Sequence, residues 1–202
     1  MNAPSKIKIE LTSKCTCACF KCPRTILKGL YDELEISVDN VKKVLDMNPK
    51  RIYFMGNLGD PIYHTRFPEI ISMTNEYNIP FNVHTVGSGY DENWWRDVYN
   101  AYDNDQSNWV FTLDGLKSTA GKYRVGLVYD ETFNAMRLGA KLGKNIMWQF
   151  IVLRHNQHDI TEAKRLADEH GINLRIDFNE RWDGNDDPWK PTISKKDIDI
   201  VQ

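Results

Sequence analysis

The chain has 202 residues, 41% of them hydrophobic and 27% charged, with a formal net charge of -2. Those proportions are those of a soluble globular protein with one good core, and the length is that of one ordinary domain, residues 1–202. A charge balance this close to zero gives no field favouring nucleic acid or an anionic membrane surface as partner, which leaves peptide or small-molecule chemistry.

The opening stretch, MNAPSKIKIE, lacks the long apolar run and small-residue cleavage site of a secretion signal, and no segment approaches a membrane span. A cytoplasmic location is therefore expected. Lys6 to Leu11 alternates polar and apolar residues, the pattern of a short strand, and runs into a polar stretch rich in cysteine. Ser37 then caps a helical pattern over 38–47, with Val38, Val41, Val44 and Leu45 on one face. RIYFM at 51–55 reads as the second strand and ends at the turn GNLGDP. A helix is predicted over 67–77, a third strand over 81–85, a helix over 93–102 and a fourth strand over 109–113. Beyond it come a helix at 131–142, a fifth strand at 147–153, a helix at 159–170 and a sixth strand at 174–178. The pattern is lost from 179 to 202, which reads as an irregular polar segment or an edge covering.

Strands alternating with helices at this spacing imply a parallel α/β sheet, because parallel neighbours need a crossover and the helix supplies it. Periodicity alone leaves two closures open, a doubly wound sheet and a partial barrel. In both, the loops after the strands form the ligand-binding edge. The cysteines, GNLGDP, the turn after Thr85 and the LDG at 113–115 all fall on that edge.

Cys15, Cys17, Cys19 and Cys22 are all the cysteines the chain has, and they fall within eight residues. A disulfide framework distributes its partners across a fold, whereas ligands of one metal centre converge on one loop. Cys15, Cys19 and Cys22 make the spacing CxxxCxxC. A [4Fe-4S] cluster held by three thiolates instead of four keeps one iron open to a further ligand. Zinc bound by all four thiolates is the structural alternative, but Cys15 and Cys17, one residue apart, depart from the usual ligand spacing of about two to four. In the cluster reading, Cys17 packs beside the loop as a small side chain.

CxxxCxxC after a first strand, followed by Pro23-Arg24, resembles the signature loop of the radical S-adenosylmethionine (SAM) superfamily. The resemblance implies a partial (β/α)6 TIM-like barrel, with parallel strands inside and helices outside, over about 6–178. It also implies a [4Fe-4S] cluster on Cys15, Cys19 and Cys22, with SAM chelating the open iron. The expected activity is reductive cleavage of SAM to a 5'-deoxyadenosyl radical that abstracts hydrogen from a substrate, as in an oxidoreductase or modifying enzyme. GNLGDP is similar to the family turn that binds the methionine end of SAM, which points to Gly56, Asn57, Gly59 and Asp60, with Asp60 standing where members usually carry Glu. WQFIVLRHN at 148–156 and Tyr123-Arg124 after LDG resemble peptide- and cofactor-modifying members. The sequence departs from those members in having no cysteine after Cys22 for an auxiliary cluster.

Further candidates for SAM contacts are Thr85, Ser88, Thr112, Asp114 and Gln149, with Arg124 and Arg154 able to pair with its carboxylate; each is also an ordinary residue for a strand end or turn. Trp94 and Trp95 read as helix packing. Lys14, Lys21, Arg24 and Lys28 form a basic rim suited to an acidic flavodoxin or ferredoxin reductant, or simply a solvated loop. The five histidines show no metal spacing. The substrate class is a peptide or a small molecule, the peptide resting on the resemblance. An iron-sulfur electron-transfer protein and a zinc-binding interaction module are the rival functions.

Overall fold

A computed structural model describes residues 3–30, 32–179 and 182–199. Of the C-terminal segment expected to be irregular, 180–181 and 200–202 lie outside the described residues.

The six strands are β1 (Ile7–Ile9), β2 (Ile52–Phe54), β3 (Phe81–Thr85), β4 (Asn108–Thr112), β5 (Asn145–Val152) and β6 (Asn173–Phe178). They form one sheet in the order β1-β2-β3-β4-β5-β6, every pair parallel. This order decides between the two closures. A doubly wound sheet reverses its strand order at a switch point, whereas here each crossover steps the same way and the helices gather on one side. The result is the partial barrel.

The helices are α1 (Pro23–Ile26), α2 (Val38–Asp46), α3 (Phe67–Glu76), α4 (Glu92–Asn100), α5 (Ala120–Tyr123), α6 (Tyr129–Lys141), α7 (Ile160–Glu169) and α8 (Lys195–Asp199). The long ones begin and end where local chemistry requires. Ser37 caps α2 by accepting from Asn40 N–H, and Asp91 caps α4 by accepting from Trp94 N–H at 2.9 Å. Asn48 and Asn78, with φ of 49° and 53°, turn the chain out of α2 and α3 in the left-handed conformation that asparagine tolerates. The short helices α1, α5 and α8 span too few residues to show a period.

β2, β3 and β5 bury one set of side chains under the helices and turn the other inward. On β3, Phe81, Val83 and Thr85 are buried, while Asn82 and His84 alternate with them and remain half-buried. The core under α4 is aromatic: the Trp109 ring lies 5.5 Å from Trp95 and 6.0 Å from Phe81, and its indole N–H donates to Tyr102 Oη at 2.8 Å. Burying a large apolar side chain is worth roughly 1.5–3 kcal/mol, so this cluster anchors the middle strands. Trp95 belongs to it, and Trp94 stacks on Tyr90 at 3.8 Å, so both serve packing. No helix among the described residues is long and apolar enough to cross a membrane.

Candidate cofactor site

The cysteine loop leaves β1 at the C-terminal end of the sheet and is fastened at several points. Arg24 donates from Nε to Ser13 O at 3.0 Å and from Nη1 to Cys17 O at 3.2 Å. Ala18 N–H donates to Val125 O at 2.7 Å, and the Tyr63 hydroxyl lies 2.7 Å from Thr16 Oγ1 while donating to Ser88 O. Cys22 stands at the start of α1, where Pro23 fits the first helical turn.

All four cysteines open on one cavity of about 220 Å³, walled on the far side by Gly56–Asp60, Thr85, Thr112 and Arg124. The Cys17 side chain is buried, its backbone N–H donates to Cys15 Sγ at 3.4 Å, and hydrogen bonding from Cys17 favours the thiolate at both Cys15 and Cys19. That bonding, set against burial and helped by the Arg124 charge, brings the Cys19 thiol down to about 7; the same donor lowers Cys15. Cys17 itself is held far up, between two groups that become thiolates before it does.

Of the two arginines that line the cavity, Arg24 is bonded to the cysteine loop and the other, Arg124, faces Cys19. Its Nε donates to Asp114 Oδ2 at 2.7 Å and its Nη1 stands 3.8 Å from Cys19 Sγ. Asp114 is fully buried and also accepts from Ile151 N–H at 2.9 Å. Its role here is to aim Arg124, and it does not itself line the cavity.

GNLGDP borders the cavity and also packs within the chain. A Cβ on Gly59 would collide with Thr12 O, and one on Gly56 with Gly59 O, so these glycines allow the turn to close on the end of β1 as well as to border the cavity. The Asp60 carboxylate, which borders the cavity, is bonded within the chain. It accepts from Val86 N–H at 2.7 Å, Thr85 Oγ1–H at 2.9 Å and Ile62 N–H at 3.3 Å, tying the turn to β3. Burial, only partly offset by those bonds, pushes its carboxyl up to about 6.

The remaining predicted residues divide. Thr112 lines the cavity and donates to Gln149 Oε1 at 3.2 Å; Gln149 donates onward to Asp177 at 2.6 Å and lies behind Thr112. Ser88 does not reach the cavity: its buried hydroxyl pairs with Thr132 at 3.1 Å and accepts from Val128 N–H. Arg154 points to the surface, where Nε donates to Lys190 O at 2.9 Å.

The rim charges are also largely engaged within the chain. Lys14 pairs with Glu35 at 3.3 Å, and Lys21 reaches Asp183 at 2.9 Å and the nearly inaccessible Asp187. Arg24 is committed to loop carbonyls. The charge expected to steer an acidic reductant is thus neutralised or spent on structure, and Lys28 is the rim residue left exposed. The same contacts place part of the C-terminal segment, read in the sequence as an irregular segment or an edge covering, as a strap. Trp189 packs on Phe20 at 4.9 Å and on Tyr123 at 5.1 Å, laying 182–192 across the cysteine loop.

Among the described residues no three His, Cys, Asp or Glu side chains are gathered tightly enough to close on one ion. Tetrahedral zinc needs its sulfurs about 2.3 Å from a single point, whereas a cubane takes its thiolates on separate irons around a larger body. Four thiols bordering one cavity, two of them with lowered pKa, are a donor set that fits a thiolate-held cluster.

No family model and no curated protein matches the chain. Among solved structures, Streptococcus suis SuiB bound to S-adenosylmethionine matches with a TM-score of 0.74 at 13% identity, over 98% of this chain and 46% of that one. anSMEcpe with bound AdoMet matches at 0.67 and 19% identity, over 91% and 55%. TYW1 with a lysine-pyruvate adduct bound matches at 0.63 and 15% identity, over 91% and 68%. This chain has the fold of these neighbours, a partial TIM barrel of six parallel strands. The chain spans about half the length of SuiB and anSMEcpe.

Proposed function

We propose that the chain is a radical SAM enzyme domain, extending over 1–202, in which Cys15, Cys19 and Cys22 hold a [4Fe-4S] cluster and the adjoining cavity holds SAM. The observation that carries the reading is the convergence of those three cysteines and the GNLGDP turn on one cavity at the C-terminal edge of the barrel. When bound and reduced, such a cluster supplies the electron that divides SAM into methionine and a 5'-deoxyadenosyl radical.

The chain's own residues prepare the site. Gly56, Asn57 and Gly59 offer backbone groups at the cavity wall, and Asp60 holds that wall rigid by its bonds to β3. Arg124, aimed by Asp114, brings a fixed positive charge next to Cys19, suited to an anionic cluster and to the SAM carboxylate. Thr112 presents a hydroxyl to the nucleoside end, with Gln149 behind it. The barrel walls keep bulk water and stray hydrogen donors from a reactive carbon radical.

A peptide is the proposed substrate class: SuiB has been solved bound to precursor peptide SuiA, and anSMEcpe with AdoMet and the Cp18Cys peptide. The test is anaerobic reconstitution with iron and sulfide, reduction by dithionite, and mass-spectrometric assay of 5'-deoxyadenosine. Formation of 5'-deoxyadenosine that disappears in the Cys15, Cys19 and Cys22 to Ala triple variant is expected. A cubane absorption that survives that triple substitution, or cubane-loaded protein that never consumes SAM, overturns the reading.

A further inference from the structure

The inner wall of the barrel below the cysteine cavity carries polar groups that the proposed SAM site does not use. Strand register puts Lys8 beside Tyr53, Tyr53 beside Asn82, and Asn82 beside Asn108, making one layer across four strands. One register step higher, His84 stands beside Val110, and one step higher again, on the far strand, Arg175 stands beside Gln149. In a filled parallel barrel such layers are built mainly from Val, Ile and Leu. Here they surround a separate cavity of about 490 Å³, within the range of small-molecule pockets. Met55 and His84 border this cavity and the cysteine cavity alike, so the two adjoin.

The charge in this cavity is biased to one sign. Lys8 and Arg175 line it, and Arg51 enters from below, donating to Asn82 Oδ1 at 2.8 Å and to Gln106 O. The two inward carboxylates nearby are already engaged: Glu10 accepts from Leu58 N–H at 2.5 Å, and Asp177 takes Arg175 at 2.9 Å together with Gln149. Neither Lys8 nor His84 pairs with a carboxylate among the described residues. His84 is held below its ordinary value by burial and then by the charges of Arg175 and Lys8, which places both cations within electrostatic reach of its ring. Lys8, the Asp177-paired Arg175, the His84 imidazole and two amides complement a carboxylate, Lys8 being the lining cation with no anionic partner among the described residues.

The geometry points to a substrate subsite at Lys8, Asn82, His84, Asn108 and Arg175 that takes a carboxylate group, presented either by an acidic residue of a peptide or by a small organic acid. This assignment rests on the proposed SAM reading for its meaning as a substrate site. Its binding chemistry is measurable without that reading.

The experiment is calorimetric binding to reconstituted, SAM-loaded protein, repeated on unreconstituted protein. The probes are glutarate against glutaramide, and acetyl-Gly-Glu-Gly-amide against its Gln counterpart. Glutarate or the Glu peptide is expected to bind at least tenfold tighter than its neutral partner. Lys8→Ala and Arg175→Ala should each weaken that binding about fivefold, as loss of one partly screened charged contact would. Preference for the peptide or for glutarate identifies the source of the carboxylate. Because both variants lie on partly exposed wall, unchanged circular dichroism should accompany the loss; should either variant misfold, the shift of the His84 ring resonances in the wild-type protein, moved by glutarate and not by glutaramide, decides the matter. Equal binding of acid and amide, or no binding of any probe at millimolar concentration, overturns the subsite. Carboxylate preference in protein that makes no 5'-deoxyadenosine would instead sink the SAM reading and leave the subsite standing.

Discussion

Arg124 places one guanidinium nitrogen 3.8 Å from the sulfur of Cys19 while another is held by Asp114 at 2.7 Å. Hydrogen bonding from Cys17 and then the Arg124 charge favour the Cys19 thiolate, against burial. In metal-free protein Cys19 should be the fast-alkylating thiol at neutral pH, with Cys17 nearly inert. Cys17→Ala should slow Cys19 labelling at pH 7 more than Arg124→Gln does. Peptide mass spectrometry after timed iodoacetamide treatment measures both rates, and the reverse ranking would show that the guanidinium controls the sulfur.

Asp60 gives a pH dependence with a definite sign. Its carboxyl is raised from 3.8 to about 6 by burial, so between those values the folded protein binds a proton that the unfolded chain has released. The contribution of this group to stability is therefore greatest below about pH 4, falls as pH rises toward 6, and is level above it. Asp60→Asn removes that dependence. The stability of the wild type relative to the variant should decline between pH 4 and pH 7 by at most about 3 kcal/mol. Urea unfolding at a series of pH values checks this, and a difference that grows with pH contradicts it.

Gly59 has backbone on the side where a Cβ would go. Gly59→Ala forces the turn away from Thr12 and should cost about 2–4 kcal/mol, in the range of substitutions that displace backbone in a packed region. Iron content after reconstitution should fall with it, because the same turn walls the cysteine cavity. Ala at Gly143, where φ is +72° but nothing stands within 4 Å, provides a control for backbone strain without collision.

The strap gives a proteolytic prediction. Asp187 is held at about 2 by the Asp183 backbone N–H and by Lys21, and remains an anion at any ordinary pH. Asp187→Ala should release 182–192 from the cysteine loop and speed cleavage there by a nonspecific protease, leaving the thermal midpoint of the barrel close to wild type. Unchanged cleavage would mean that the Trp189 contacts with Phe20 and Tyr123 suffice to hold the segment.

What the sequence disclosed and what it hid separate by distance along the chain. Strand and helix order was readable because alternation and capping are local, as at Phe81–Thr85 and Ser37. The cysteine loop was readable because its candidate ligands fall within eight residues. The task of Asp60 was not, since its partners Thr85 and Val86 lie some 25 residues away on another strand. Arg154 shows the same limit: a strand-end arginine has no local signal telling whether it turns to a cavity or, as here, to a carbonyl at Lys190. Nor did Cys17 disclose a place between two sulfurs, because spacing gives proximity along the chain and not the direction of a side chain.

Six strands in unbroken order leave β1 and β6 without each other, and β6 stays partly uncovered along its length. A ring with a missing sector can be approached from the side as well as through its mouth. A long flexible molecule can thus lay a single residue into the interior while the rest of it stays outside, a route that a sealed eight-stranded cylinder denies to anything larger than its opening.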